Sequence, residues 1–234
     1  MARQVRSEAT RRKILDAAID VFGEVGYAAA GWGTIIERTG MTKGALYHHF
    51  DSKESLASAI IQEGSDTILD AVRNVCKSSS PALENIVHGT FTIAKVLNSE
   101  RFSRAAEQLT HTLGGFNDAA ARFCTGLVEV LAAEARRATA EGDLREGIDA
   151  EVLSESIVAG ILGIQLLSNA LSSDGISGGV DIAGRLSEIW ELMLPGIVCE
   201  TSLPYFQQFL RREAMRHSHS AVPREDNGTQ PGIG

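Results

Sequence analysis

Apolar residues recur at the three- and four-residue spacing of an α-helix along almost the whole of this 234-residue chain. Runs of alternating apolar and polar residues, which would indicate strands, are absent from the sequence. The first helix is expected at about residues 8–24, with Ile14, Val21 and Phe22 on its apolar face. An all-α protein is therefore predicted, and a hydrophobic content of 44% is enough for a substantial core.

Capping residues and glycines divide the rest of the pattern into further helices, expected at about residues 32–38, 43–49, 53–77, 82–97, 100–113, 117–140, 150–171, 180–198 and 204–216. Gly40 can adopt the positive φ of a tight turn, and the hydroxyl of Thr42 can cap the third helix. We expect residues 1–52 to form a small N-terminal domain and residues 53–216 a larger helical one. Residues 217–234 have nothing to bury and are predicted to be a disordered tail.

The charge of the chain is unevenly distributed. The formal net charge is -8, yet the first thirteen residues carry one acidic side chain and the basic residues Arg3, Arg6, Arg11, Arg12 and Lys13. Such a basic arm favours phosphate binding, although a solvated run of charges is the alternative.

Cysteine spacing and hydropathy exclude several classes of protein. Three widely spaced cysteines in apolar stretches predict buried thiols rather than disulfides or a zinc site, and no metal or cofactor is expected. The longest apolar run, residues 157–167, contains Gln165 and is too short to span a bilayer. Because no signal peptide is recognisable either, we expect a cytoplasmic protein without membrane contact.

The two short helices at 32–38 and 43–49 have the spacing of a helix-turn-helix, whose second helix enters the major groove of DNA. Small side chains at Gly44 and Ala45 let the backbone approach the groove, and Lys43 supplies a cation for phosphate or guanine. The candidate DNA contacts are Thr42, Lys43, Gly44, Ala45, Tyr47, His48 and Lys53.

The same region resembles the TetR family of bacterial regulators. The matching positions are Ile14, Ala17, Ala18, Phe22, Gly26, Tyr27, Ile35, Ile36, Gly40 to Tyr47, Phe50, Lys53, Glu54 and Leu56. The resemblance implies a homodimer with a three-helix DNA-binding head and a helical body that binds an inducer. It also implies that Leu46 and Phe50 belong to the core of the head. The chain departs from the family at Gly31, where a capping Thr or Ser is usual.

Within that family, the opening residues 1–4 and residues 41–47 are similar to γ-butyrolactone receptors of actinomycetes, and Trp190 matches a recurrent tryptophan there. Those receptors usually also carry a ligand-stacking tryptophan in the helix that corresponds to residues 117–140, where this chain has none.

The body offers two sets of candidate residues. Aromatic and amide side chains near apolar faces are the candidates for ligand binding, namely Phe91, Phe102, Gln108, Phe123 and Gln165. The run at residues 157–164 is apolar on all sides, which indicates burial both in the core and against a second subunit. The candidate dimer contacts are Ile157, Ile161, Ile164, Leu186, Trp190 and Met193.

These features favour a regulator that represses from a pseudo-palindromic operator as a homodimer and is released by a small-molecule inducer. A regulator without a ligand response is one alternative. A small-molecule-processing enzyme is another, because residues 175–179 satisfy the G-x-S-x-G pattern, although no strand precedes them.

Overall fold

The computed structural model describes residues 2–171 and 181–218, and ten α-helices lie within them. They are α1 (Ala2–Ala29), α2 (Trp32–Thr39), α3 (Lys43–His49), α4 (Lys53–Cys76), α5 (Ala82–Ser99), α6 (Arg101–Leu113), α7 (Asp118–Glu141), α8 (Ala150–Leu171), α9 (Ile182–Ile197) and α10 (Leu203–Ser218). The only β-type pairing within these residues is an isolated bridge between Leu144 and Val198. The predicted all-α fold is confirmed.

Most helix ends lie within two residues of their predicted positions, and α1 is the exception. It begins at Ala2, so the basic arm is part of the helix, and Gly26 interrupts it with φ 77° and ψ 156°. α10 continues to Ser218, two residues into the predicted tail. The G-x-S-x-G pattern at 175–179 and the tail from residue 219 lie outside the described residues.

The buried apolar side chains form two clusters that meet along α4. The first cluster joins α1, α2 and α3 to the start of α4, and it also takes in Phe102 and Leu109 of α6 and Ala120 of α7. The second cluster joins the end of α4 to α5 and α7–α10 around Phe91 and Trp190. The core of the head therefore extends past residue 52 into elements of the body.

α4 and α6 approach each other most closely at Gly64. A β-carbon at this position would lie 2.3 Å from the backbone oxygen of Phe102 and 2.5 Å from the Cβ of Ala106. The hydroxyl of Ser103 donates a hydrogen bond of 3.1 Å to the Gly64 carbonyl. Only glycine permits this contact, so the two helices are closely coupled where the head meets the body.

α8 is the most apolar of the long helices. Its segment Ala150–Ser168 is long and apolar enough to cross a membrane by length and composition alone, a property that core helices share. In this fold α8 packs against α7 and α9.

Candidate DNA-binding surface and body sites

The turn between α2 and α3 is fixed by local hydrogen bonds. Gly40 adopts the left-handed conformation with φ 65° and ψ 20°. The Thr42 hydroxyl accepts a hydrogen bond of 3.3 Å from the backbone N–H of Ala45 and so caps α3, as predicted. Buried Thr39 accepts another, of 3.1 Å, from the N–H of Met41. These bonds hold α3 in one orientation against α2.

α3 turns one side chain into the head and leaves most of the others outside. Leu46 is fully buried, and Phe50 directly after the helix is buried as well. The candidate DNA contacts Thr42, Lys43, Gly44, Tyr47 and His48 are exposed, while Ala45 is partly buried. A β-carbon at Gly44 would meet no atom within 4 Å, so packing inside the head does not require this glycine. The exposed side of α3 is available to an external partner.

Aromatic contacts order the side chains on this surface. The rings of Trp32 and Tyr47 lie 5.5 Å apart, and the ammonium of Lys43 lies 5.7 Å from the centroid of the Tyr47 ring. The rings of His48 and His49 are 5.4 Å apart. Burial lowers the pKa of His49, and the neighbouring charge of His48 lowers it further. Trp32 of α2 thus packs against Tyr47 on the outer face of α3.

Lys53 is held by the end of α1. Its ammonium donates hydrogen bonds to the carbonyl oxygens of Tyr27 at 2.8 Å, Ala28 at 3.2 Å and Ala30 at 3.1 Å, and it lies 4.5 Å from the Tyr27 ring centroid. An ammonium has three donors, so a phosphate would compete with these carbonyls. Lys53 was predicted only as a DNA contact; here its cation stabilises the C-terminal end of a helix.

α2 begins without a side-chain cap. Gly31 occupies the capping position in an extended conformation, with φ -86° and ψ 146°, and no side-chain hydrogen bond is made there. Next to it, the buried Nε1 of Trp32 has no hydrogen-bond partner among the described residues. The missing cap agrees with the sequence, in which Gly31 stands where a capping Thr or Ser is usual.

Part of the basic arm is engaged at the joint between head and body. Arg11 forms an ion pair with Glu63 of α4, and Arg12 lies 3.5 Å from the other oxygen of that carboxylate. The Arg12 guanidinium also lies 3.6 Å from the ring centroid of Phe102. These two arginines therefore connect α1 to α4 and α6.

Arg101, the first residue of α6, also contacts α1. Its guanidinium donates a hydrogen bond of 3.0 Å to the backbone oxygen of Asp16 and forms ion pairs with the carboxylates of Asp16 and Asp20. A cavity of 420 Å³ lies among these charged side chains of α1, α4 and α6. Any rotation of the head relative to α6 has to rearrange this ionic joint.

The five ligand-binding candidates lie in different parts of the molecule. Phe91 is buried in the second cluster. Phe102 lines the 420 Å³ cavity, Gln108 a 110 Å³ cavity beside α1, and Phe123 a 430 Å³ cavity between α4 and α7. Gln165 is only 8% exposed, and its Oε1 has no hydrogen-bond partner among the described residues. Of the five candidates, Gln165 is the one with a buried polar atom that a ligand could hydrogen-bond.

A second concealed polar group lies on α6. Glu107 is 1% exposed, and neither of its oxygens has a well-aligned hydrogen-bond partner among the described residues. The Nε2 atom of His111 lies 2.6 Å from Oε1. The Glu107 carboxylate raises the pKa of His111 against the opposing effect of burial, and a hydrogen bond to the Leu162 backbone raises it further.

That bond places the pair against α8, one helical turn from Gln165. Glu107 and His111 were not among the residues predicted for a site. Their i,i+4 spacing on a helix face shared with Ala106 and Thr110 was a signal that could have identified them.

Most dimer candidates are covered by the chain's own core. Ile157, Ile161, Ile164, Leu186 and Trp190 are buried in the single chain, and Met193 packs at the edge of the cluster. The Trp190 Nε1 atom donates a hydrogen bond of 3.0 Å to the hydroxyl of Thr90. The apolar side chains exposed on α8 and α9 are instead Val152, Leu166, Leu167 and Leu192.

Comparison with known proteins extends these findings. Residues 14–60 match the family described as bacterial regulatory proteins, tetR family. The chain is 35% identical to the A-factor receptor protein of Streptomyces griseus, over 97% of this chain and 77% of that protein. The match to the transcriptional activator FasR of Mycolicibacterium smegmatis is 39% identical but covers 70 residues, 30% of this chain and 32% of that protein.

Solved structures show similarity through both head and body. A crystal structure of a gamma-butyrolactone receptor superimposes with a TM-score of 0.75 at 26% identity, covering 90% of this chain and 99% of that one. The TetR family protein CprB from Streptomyces coelicolor, in complex with its operator sequence, gives a TM-score of 0.72 at 26% identity with the same coverage. The chain therefore belongs to the TetR family of bacterial regulators, and it resembles the butyrolactone receptors along its body as well as its head.

Proposed function

We propose that the protein is a repressor that binds a pseudo-palindromic operator as a homodimer and releases it when a butyrolactone-like molecule enters the body. The observation that carries the DNA-binding part is the outer face of α3, where Lys43, Gly44, Tyr47 and His48 are exposed on a helix with a fixed orientation. The full-length similarity to the A-factor receptor supports the ligand response. We also infer a cytoplasmic location and no enzymatic activity, because the relatives are transcriptional regulators.

Lys43 tests the assignment of the surface. If its ammonium contacts a phosphate, Lys43→Ala weakens operator binding uniformly across sequences and reduces the slope of log affinity against log salt by about 1 for each subunit, or about 2 for the dimer. The matched control is Lys77→Ala, since Lys77 is an exposed lysine at the C-terminal end of α4, a long helix away from α3. Fluorescence anisotropy of labelled operator over a range of salt concentrations measures both variants. An unchanged slope in Lys43→Ala contradicts the assignment.

The ligand response is proposed to depend on the polar groups buried between α6 and α8. A carboxylate without an aligned partner, such as Glu107, is costly to bury, and a ligand that donates a hydrogen bond to it offsets the cost. His111 and Gln165 add further polar atoms on the same side of the body. We infer a neutral ligand that donates to Glu107 and accepts from His111, a pattern that a substituted lactone can meet.

Release of labelled operator by a panel of γ-butyrolactones tests this site. Glu107→Gln should bind the operator normally without ligand and require roughly 10- to 100-fold more lactone for release, the loss expected for one hydrogen bond to a charged group. The control is Glu129→Gln on the exposed side of α7. Equal release from both variants would contradict the site, while no release of the wild type by any lactone would contradict the ligand class.

The homodimer is proposed to form through the outer faces of α8 and α9. Leu192 is 83% exposed on α9, and Val152, Leu166 and Leu167 are exposed on α8. Several exposed apolar side chains on two helices that pack together offer a surface for a partner subunit. Leu192→Glu should therefore shift the protein to a monomer in light scattering and weaken operator binding. The matched control is Phe116→Glu, because Phe116 is 91% exposed but lies after α6, away from that face. A dimeric Leu192→Glu would contradict this interface.

A further inference from the structure

α5 and α10 bring three potential metal ligands together in the body. The Nδ1 atom of His88 lies 2.6 Å from Oε2 of Glu213, and the Nε2 atom of His217 lies 3.8 Å from the same oxygen. All three ligand atoms lie within 4.8 Å of one another. We propose that His88, Glu213 and His217 form a binding site for Zn²⁺ or a chemically similar d-block cation.

The donor set and its spacing suit such an ion. Two imidazoles and one carboxylate are typical ligands of zinc, with metal–ligand distances near 2.1 Å. In a tetrahedral site, ligand atoms at that distance are about 3.4 Å apart. The observed separations of 2.6 Å and 3.8 Å lie on either side of this value. The side chain of His88 is 41% exposed, so it can make the small movement required.

Neighbouring groups hold two of the ligands in place. The ring of Phe91 stacks on that of His217, with centroids 5.3 Å apart and an interplanar angle of 22°. Arg216 donates a hydrogen bond of 2.6 Å to Oε1 of Glu213, which leaves Oε2 for the metal. Such contacts are characteristic of metal sites, where supporting groups orient the ligands.

The surroundings also leave room for a fourth ligand. Glu213 is fully buried, but a cavity of 590 Å³ is lined by Glu213 and His88 and can admit water. A site with three protein ligands and one water is a known arrangement for zinc. Because two of the three ligands are imidazoles, a hard cation such as Mg²⁺ or Ca²⁺, which prefers oxygen ligands, is disfavoured.

The pair formed by Glu107 and His111 supplies an internal comparison. It has the same 2.6 Å separation of nitrogen and oxygen, but no group of three potential ligands includes it among the described residues. If the third ligand, His217, made no difference, substitutions in the two histidine–glutamate pairs would change zinc binding equally.

Zinc binding to the full-length protein, stripped with EDTA, tests the site by competition with a chromogenic chelator. We expect one tight site per chain. His88→Gln and His217→Gln should each weaken zinc affinity by more than about 100-fold. Loss of a group that only supports a ligand costs up to about that factor, and these variants remove a ligand itself. His111→Gln should bind zinc as the wild type does, and so should His219→Gln in the segment outside the described residues.

Cobalt gives a second measurement that does not depend on stability. Co²⁺ in the wild type should show the intense visible bands of a four-coordinate ion, and His88→Gln should lose them while keeping its helical circular dichroism. Zinc binding that is unaffected by both His88→Gln and His217→Gln would overturn the proposal. So would loss of binding in a His48→Gln/His49→Gln variant of α3, or a wild type that binds no zinc.

Discussion

The head and the body differ in how completely some of their polar side chains are hydrogen-bonded. In the head, Thr39 and Thr42 make hydrogen bonds within the turn, and Ser52 forms a reciprocal capping box at the start of α4. In the body, Glu107 and Gln165 bury oxygens without an aligned partner among the described residues. The unpartnered Nε1 of Trp32 is an exception in the head. We infer that most of these polar groups in the head are hydrogen-bonded before DNA binds. The body, in contrast, keeps buried oxygens that a ligand could satisfy.

The largest expected effect comes from the core of the head. Leu46→Ala removes a fully buried side chain and should lower the free energy of unfolding by about 2–5 kcal/mol, with loss of operator binding. Urea denaturation followed by circular dichroism measures it. Because the head cluster includes Phe102 and Ala120, we expect one shifted transition. A separate early transition, with the body unaffected, would show instead that the head folds independently.

The second effect should have the opposite sign. Replacing the buried pair in Glu107→Met/His111→Leu removes two poorly satisfied polar groups, so stability should rise by about 1–4 kcal/mol while lactone-induced release is lost. Thermal unfolding and operator release measure the two quantities. The control is Glu107→Met alone, which leaves His111 without its carboxylate and should gain less. A double variant that is less stable than the wild type would mean that the pair serves the fold.

A smaller effect is expected at the start of α2, which has no side-chain cap. Gly31 has an extended conformation that any residue can adopt, so Gly31→Ser should add a cap to α2 and raise stability by about 0.5 kcal/mol. Gly31→Ala is the matched control, because it restricts the unfolded chain equally but has no hydroxyl. Equal unfolding midpoints for Ser and Ala would show that no cap forms.

The smallest effect is a pH dependence. The folded protein raises the pKa of His111 above its ordinary value of 6.5. The resulting stability is fully present below pH 6.5 and is lost as the pH rises through the raised value. The stability difference between the wild type and His111→Gln should therefore shrink with increasing pH. Unfolding midpoints between pH 5.5 and 8.5 measure it, and a difference that grows with pH would contradict the assignment.

Local chemistry explains what could be predicted from the sequence. Gly40, Thr42 and Ser52 act on neighbouring backbone groups, so the bounds of α3 and the start of α4 followed from residue types and spacing. The exposed surface of α3 followed for the same reason.

Contacts between distant segments explain what could not be predicted. The three carbonyls around Lys53 come from residues 27–30, and the partner of Arg11 is 52 residues away. His88 and Glu213 are 125 residues apart. Each pairing depends on how helices are oriented, which periodicity does not specify. The dimer candidates illustrate the same limit, since the pattern at 157–164 indicated burial but not which surface provides it.

The shared core between α1–α4 and α6 has a consequence for building chimeric regulators. A hybrid that joins this head to another body at residue 52 would separate Leu46 and Phe50 from Leu56, Phe102 and Leu109, which belong to the same apolar cluster. It would also leave Asp16 and Asp20 without Arg101. Exchange of operator specificity should therefore succeed when only the exposed positions of α3 are transferred, or when α6 is transplanted together with the head.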